Sequence, residues 1–368
     1  MNMAALSEPK LVPLTGTTQF EALPNIANIL VTGGAGFIGS WVTRHLVIRY
    51  PEKYRVVCFD RMDTAASFNN LMCLSTAPNF DFIHGDITDL ERVRYALEFY
   101  EIDCVLHFAA SSHVQISFSK PFDFTRNNVV GTHIVLEAVR IYGKVGRFIH
   151  VSTDEIYGET NGTKTNEAKV DENGNFFPTN PYSASKAAAD MYAMAYLRSF
   201  RLPIIIVRSN NVYGPCQYPE KIIPTFIKLL MEGKKLPIQG DGSHTRCFLY
   251  GSDAADAFDT ILHKGNIGEV YNIESDYEVR NSEVAANILS LFGYDPVYDF
   301  ESHVKWVPDR PFNDMRYNVD GSKLKRLGWM QQVDFSSGLA LTVSWYKQNL
   351  RWWWKTPSSI STNLACQG

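Results

Sequence analysis

The sequence predicts an α/β fold, a doubly wound parallel sheet followed by a smaller C-terminal α/β domain that binds substrate. Three observations point to it. Asn28-Ile29-Leu30-Val31-Thr32 has the pattern of a buried strand and runs directly into Gly33-Gly34-Ala35-Gly36-Phe37-Ile38-Gly39, then into a helical stretch from Ser40 to about Arg49. Strand-like and helix-like segments then alternate, as a doubly wound sheet requires. From Arg208 onward the composition shifts to Pro, Gly and irregular segments, with Gly214-Pro215, Pro219-Glu220-Lys221 and Gly240-Asp241-Gly242.

The first unit is strand, glycine loop, helix. Glycines at 33, 36 and 39 allow a tight turn and let backbone N–H groups and a helix N-terminus approach a pyrophosphate, the arrangement of a Rossmann-type dinucleotide site. The next strand, Arg55-Val56-Val57-Cys58-Phe59, ends in Asp60, 21 residues beyond Gly39. An acid at that spacing takes the ribose hydroxyls and repels a 2′-phosphate, which favours NAD over NADP; Arg61 beside it is the one residue arguing otherwise. Phe80 to Ile87 supplies a third strand, with Asp86 placed to meet the adenine. Cys104-Val105-Leu106-His107-Phe108 is a fourth, and it ends at Ala109-Ala110, small residues that let the backbone lie against a cofactor. Helical patterns fill the gaps around Leu90 to Tyr100 and Asn128 to Tyr142.

A further strand, Ile149-His150-Val151, breaks into Ser152-Thr153-Asp154-Glu155-Ile156-Tyr157-Gly158. Ligands of open parallel sheets bind beyond the carboxyl ends of the strands, so a hydroxyl and two adjacent carboxylates there suit chemistry. The same residues also suit a turn with a helix cap. Residues 158–180 read as a surface loop. Pro181-Tyr182-Ser183-Ala184-Ser185-Lys186 then opens a helix to about Phe200, with Tyr182 and Lys186 one turn apart on one face. That spacing lets an ammonium stabilise a phenolate and lower the tyrosine pKa toward working pH. Arg246, Arg310, Arg316 and Lys221 are spaced basic residues suited to a substrate diphosphate, although solvated surface charge is the default for each. Helices near Asn281 to Phe292 and Ser336 to Asn349 complete the chain.

Composition narrows the partners. With 368 residues, 45% hydrophobic, the chain can bury a substantial core. A net charge of −4 with scattered acids and bases leaves no basic stripe for nucleic acid. Cysteines at 58, 73, 104, 216, 247 and 366 form no CxxC pair or zinc spacing, so reduced thiols in a cytoplasmic protein and no metal site are expected. No apolar run approaches the roughly 18 residues of a membrane span, and the first 25 residues hold no continuous signal-peptide core. Trp352 to Trp354 close the last helix and are read as packing with some exposed rim.

Thr32 to Gly39 together with Tyr182-Ser183-Ala184-Ser185-Lys186 resembles the extended short-chain dehydrogenase/reductase family, over nearly everything from Ile29 to about Tyr346. Within it, Ser152 to Gly158, Asn210-Asn211-Val212-Tyr213-Gly214-Pro215, Pro219 to Pro224 and Asp309-Arg310-Pro311-Phe312-Asn313-Asp314 are similar to nucleoside-diphosphate-glucose 4,6-dehydratases, most of all the eukaryotic UDP-glucose enzymes, including the dehydratase part of plant rhamnose synthases. Ser111-Ser112 and Gln115 depart from the family pattern near its sugar site.

The resemblance implies a tightly bound NAD, regenerated each turnover and touched by Gly33, Gly36, Phe37, Ile38, Gly39, Asp60, Asp86, Ile87, Ala109, Ala110, Asn128, Tyr182 and Lys186. It implies catalysis by Thr153, Asp154 as acid, Glu155 as base, Tyr182 and Lys186. Substrate contacts would fall to Ser112, His113, Asn211, Glu220, Lys221, Arg246, Asn281 and Arg310. The expected product is a 4-keto-6-deoxy sugar nucleotide on the route to rhamnose or another deoxysugar, with UDP-glucose ahead of dTDP-glucose as substrate and no second catalytic domain to carry it further. A homodimer through the helices after Asn128 and Pro181 is also implied. The expected organisation is 1–25 flexible, 26–208 NAD-binding, 209–355 mainly substrate-binding with segments returning to the first domain, and 356–368 a flexible tail. The alternatives are a 4-epimerase or decarboxylase of the same fold, against which Asp154-Glu155 argues, and more remotely a non-catalytic NAD-binding protein.

Overall fold

The computed structural model describes residues 14–159, 169–309 and 312–354. In chain order its elements begin with β1 (Asn28–Thr32), α1 (Phe37–Arg49), β2 (Arg55–Asp60), β3 (Phe80–His84), α2 (Leu90–Phe99), β4 (Cys104–His107), α3 (Val114–Ser119) and α4 (Pro121–Phe124). A π-helical turn, Thr125–Val130, leads into α5 (Gly131–Tyr142), β5 (Arg147–Thr153), α6 (Pro181–Phe200) and β6 (Ile204–Ser209). The remainder comprises β7 (Asn211–Tyr213), α7 (Ile222–Met231), β8 (Leu236–Gln239), β9 (Thr245–Tyr250), α8 (Gly251–Lys264), β10 (Val270–Ile273), β11 (Glu278–Arg280), α9 (Asn281–Leu291), β12 (Val304–Val307), two one-turn helices, Phe300–His303 and Ser322–Lys325, and a last long helix, Phe335–Trp353.

Seven strands form one sheet in the order β10-β6-β5-β4-β1-β2-β3, and every pair is parallel. The two-residue period of the strands splits the core between the two faces. Ile29, Val31, Val56 and Cys58 pack with α1 and α8 on one face, while Leu30, Val57 and Val105 pack with α2, α5 and α6 on the other. A third apolar cluster, including Phe226, Leu236, Val284 and Leu339, joins α7, α9 and the last helix to the small sheets β11-β9-β7 and β12-β8.

The chain order turns back between β1 and β4, which makes their carboxyl ends the switch point where a ligand crevice opens. Glycine is required there. Gly33 has φ +69°, and a Cβ on it would lie 2.7 Å from the Ala109 backbone. A Cβ on Gly39 would lie 2.2 Å from the Gly33 carbonyl oxygen, so the start of α1 sits against the loop only because residue 39 has no side chain. Gly39→Ala is therefore expected to lower stability by about 1–3 kcal/mol, the cost of forcing an extra carbon into a packed contact. A denaturant titration checks it, and an unchanged midpoint would show that the loop yields freely.

One terminal expectation changes. Residues 17–23 were expected in a flexible segment, but Thr17 N and Thr18 N donate to Asp256 Oδ1 at 2.7 and 2.8 Å. The Tyr50 and Tyr54 hydroxyls accept from Phe20 N and Leu23 N, each at 2.8 Å. Polar side chains of α1, α8 and the loop before β2 give this strand-poor segment the hydrogen bonds it lacks internally. Residues 1–13 and 356–368 lie outside the described residues. Of the tryptophan triplet, Trp353 is buried, and its carbonyl accepts from Ser67 Oγ at 2.9 Å. Among the described residues no helix is long and apolar enough to cross a membrane.

Candidate active site

β5 delivers Thr153 to the carboxyl edge of the sheet, and Asp154–Tyr157 follow as a buried 3-10 turn. Thr153 Oγ1 accepts from Glu155 N at 3.3 Å, so the hydroxyl does cap a turn. It also donates to Asp154 Oδ1 at 3.2 Å and shares a side-chain hydrogen bond with Tyr182. The turn and the reactive cluster are thus one feature.

Each carboxylate has its own amide. Asn210 Nδ2, from the end of β6, donates to Asp154 Oδ2 at 2.6 Å, and Asn180 Nδ2, at the start of α6, donates to Glu155 Oε2 at 3.3 Å. Burial, followed by the charge of Glu155, pushes the Asp154 carboxyl up to about 7. At neutral pH a substantial fraction of it is protonated, as a general acid requires.

Tyr182 and Lys186 lie on the first turns of α6, which Asn180 caps by accepting from Ser183 N at 2.9 Å, with Pro181 at its first position. The expectation that Lys186 lowers the Tyr182 pKa is corrected here. Burial and the Glu155 carboxylate hold the Tyr182 hydroxyl above the ordinary tyrosine value, while the Lys186 ammonium is committed to the Val151 carbonyl at 2.6 Å. Burial lowers Lys186 itself to about 8. Beneath it, Asp190 binds Arg208 Nε at 3.0 Å and His150 Nε2 at 3.1 Å, all three side chains wholly inaccessible.

On the other side of the crevice, α1 starts at Gly36 with no side-chain cap, so the backbone N–H groups of Phe37, Ile38 and Gly39 lead the helix dipole toward the loop. Asp60 ends β2, buried, accepting from Ala35 N at 3.0 Å and Met62 N at 2.8 Å. Its carboxylate steadies the glycine loop and keeps free lone pairs for hydroxyl donors. Arg61 turns away toward Asp63 at 3.1 Å, Asp86 at 3.5 Å and Asn127 Oδ1 at 3.0 Å. Ile87 packs against Gly131, where a Cβ would come within 2.5 Å of its side chain. Asn128 ties the segment after Ala109 and Ala110 to α6: its Oδ1 accepts from Ser111 N at 2.7 Å, and its Nδ2 donates to Ser185 Oγ at 2.9 Å. Ser111, one of the departures, accepts from Asn127 Nδ2 at 3.1 Å through its hydroxyl.

The expected substrate residues divide. Lys221 Nζ meets the Ser112 carbonyl at 2.6 Å, and burial raises the Glu220 carboxyl beside it. Arg246 NH1 donates to the Asp314 carbonyl at 2.9 Å, its guanidinium lies 5.0 Å over the Tyr317 ring, and its charge reaches Asp154. His113 instead caps α3, accepting from Ile116 N at 3.2 Å, because its ring folds back on its own helix start. Asn211 pairs into β7, and it is its neighbour Asn210 that reaches the Asp154 carboxylate. Asn281 opens α9 and donates from its backbone to the His244 carbonyl at 2.9 Å. Arg316 forms an ion pair with Glu278 at 2.6 Å. Arg310 lies outside the described residues. Sequence reasoning missed Asn180, Asn210 and Tyr317. Only Asn180, before a proline at a helix start, left a readable cue, and that cue was for capping.

A parallel sheet with a glycine loop at its switch point, and a Tyr-x-x-x-Lys helix start beside an acidic strand end, places this protein in the extended short-chain dehydrogenase/reductase class. The chain belongs to the GDP-mannose 4,6 dehydratase family, whose model matches residues 30–342. It is 50% identical over 328 residues to a trifunctional UDP-glucose 4,6-dehydratase/UDP-4-keto-6-deoxy-D-glucose 3,5-epimerase/UDP-4-keto-L-rhamnose-reductase of Arabidopsis thaliana, covering 89% of this chain and 48% of that protein. The chain therefore spans about half the length of these plant relatives. A dTDP-D-glucose 4,6-dehydratase of Dictyostelium discoideum is 42% identical, covering 89% of this chain and 83% of its own. Among solved structures, the dTDP-glucose 4,6-dehydratase DesIV of Streptomyces venezuelae, with NAD and TYD bound, superposes with a TM-score of 0.83 at 40% identity, covering 89% of this chain and 98% of the other.

Proposed function

We propose that this chain catalyses the NAD-dependent 4,6-dehydration of a nucleoside-diphosphate glucose, UDP-glucose ahead of dTDP-glucose, to the 4-keto-6-deoxy sugar nucleotide. The observation that carries the reading is the Asp154-Glu155 pair, held beside Thr153 and Tyr182 with Asp154 near its protonation midpoint at neutral pH. The uncapped start of α1 and the buried Asp60 suit a dinucleotide's pyrophosphate and ribose. When bound, an oxidised nicotinamide there supplies the acceptor for the C4 hydride and the donor that returns it to C6.

The chain's own residues manage the protons. Tyr182, whose ionisation the positive charge of a bound oxidised nicotinamide would favour against its burial, takes the C4 hydroxyl proton while Thr153 orients that hydroxyl, and the resulting ketone makes the C5 hydrogen acidic. Glu155 removes it, and Asp154 gives its proton to the C6 hydroxyl, which leaves as water. The net change is loss of one water with no redox change. An epimerase needs no such acid and base pair, which is why the adjacent carboxylates favour dehydration. The plant relatives support UDP-glucose as the preferred substrate.

C4-deuterated substrate in D₂O is expected to yield product with the substrate's own label at C6 and solvent deuterium at C5. Label lost to solvent, or product of unchanged mass, removes the dehydratase reading. Exposed Ile141 on α5 and Tyr192 and Phe200 on α6 support a homodimer through that face. Among the described residues five cysteines are free, four of them buried, which suits a cytoplasmic setting.

A further inference from the structure

We propose that Asn210 is a positioning residue for Asp154: it decides which carboxyl oxygen carries the transferable proton and limits how tightly that proton is held. The inference deepens the dehydratase reading and rests on it.

The neighbours of the Asn210 amide dictate its orientation rather than leave it to a flip. Its Oδ1 accepts from Ser275 N at 2.8 Å, and its own backbone N donates to the Ile273 carbonyl at 3.1 Å. Nδ2, a donor only, must therefore be the atom facing Asp154 Oδ2 at 2.6 Å. An acid proton on Oδ2 would point at that fixed N–H, whereas the Thr153 hydroxyl beside Oδ1 can rotate from donating to the carboxylate to accepting from the acid, so the neutral acid carries its proton on Oδ1. That oxygen lies 3.2 Å from Thr153 Oγ1, the hydroxyl bonded to Tyr182, and so on the side where the sugar reacts.

Strand register provides the placement. Thr153 of β5 pairs with Ser209 of β6, so the next residues along, Asp154 and Asn210, emerge side by side. The same device holds the base. Asn180 Oδ1 is occupied by Ser183 N at 2.9 Å, which leaves its Nδ2 for Glu155.

Asn210 also opposes its surroundings electrostatically. Asp154 faces Glu155 in its own turn, Tyr182 on α6, and Arg246 and Cys247 on β9. Burial and Glu155 favour the neutral acid, while Asn210, Thr153 and Arg246 favour the ion. Without Asn210 the acid would be held more tightly and its proton would no longer be confined to the oxygen facing the substrate.

The test compares kcat and KM against pH for wild type, Asn210→Ala and Asn210→Leu, the last keeping side-chain volume should the alanine variant fold poorly. Elimination needs protonated Asp154, so kcat falls as pH rises through its pKa. Losing a donor to the carboxylate raises that pKa, and the alkaline limb is expected to move up by about one pH unit, with about a tenfold loss at the optimum and little change in KM. A substrate whose C6 hydroxyl is replaced by fluoride, a leaving group that needs no proton, is expected to restore most of the variants' rate relative to wild type. A limb that stays in place in both variants, or an equal loss on both substrates, overturns the proposal while leaving the dehydratase reading intact. Wild type that dehydrates neither sugar nucleotide overturns both.

Discussion

Glu155→Gln is expected to reduce turnover by about 10²–10⁴-fold while leaving the C4 oxidation intact. The amide keeps the shape of the carboxylate and can still accept from Asn180 Nδ2, which now sits 3.3 Å from Oε2, so the turn and the start of α6 should keep their geometry. What is lost is an oxygen basic enough to take the C5 proton. Reduced cofactor should then build up on the protein, visible as near-ultraviolet absorbance after mixing with substrate, without release of dehydrated product. The charge of Glu155 also raises both Asp154 and Tyr182, so the variant should ionise Tyr182 more readily and oxidise the sugar at least as fast as wild type. Turnover equal to wild type would remove Glu155 from the base role, and absence of the absorbance rise would place it in the oxidation instead.

Asp190→Ala has the largest expected effect on stability, about 3–5 kcal/mol, a large share of the ~5–15 kcal/mol that holds a typical protein folded. Arg208 and His150 are inaccessible to water and both lean on this one carboxylate, at 3.0 and 3.1 Å. Removing it leaves a guanidinium buried without a counter-charge; Arg208 NH1 keeps only the Tyr157 hydroxyl at 2.6 Å and the Glu172 carbonyl at 3.1 Å. Burial raises Asp190, but His150 and Arg208 more than offset it, so its folded value lies below the ordinary carboxylate range. A depressed carboxylate contributes its stability above the unfolded pKa, about 4, and loses it as pH falls through the folded value. The gap between wild type and variant, measured by denaturant titration, should therefore be widest at neutral pH and narrow in acid. A second variant, Asp190→Leu with Arg208→Met, should recover much of the loss, because an apolar pair leaves no charge unpaired. A pH-independent gap would show that packing, not charge, is what Asp190 provides.

Most of the fold was legible because its signals are local. A strand buried on both faces reads as an apolar run, and the strands ending at Thr32 and Asp60 and the helix from Pro181 to Phe200 follow the sequence reading almost residue for residue, while β5 extends two residues beyond it at each end. Gly33 and Gly39 were legible as a loop, although what they make room for, the Ala109 backbone and their own mutual contact, lies across the sheet or the turn. The terminal segment from Thr17 to Leu23 misled, since low periodicity suggested mobility and its partners, Asp256, Tyr50 and Tyr54, come from distant elements.

By itself the sequence determined the glycine loop at a strand end, the acid that closes β2, the hydroxyl and paired carboxylates that leave β5, and the tyrosine and lysine one helical turn apart. These are spacings within single elements, and backbone periodicity sets them. The tertiary structure alone decided how those groups are used: that Lys186 serves the Val151 carbonyl, that Arg316 pairs with Glu278, and that Asn210 rather than Asn211 meets Asp154. The physical reason is that hydrogen-bond partners 35 to 56 residues apart are chosen by the register of parallel strands and by burial, which fix both which side chains adjoin and what their charge costs.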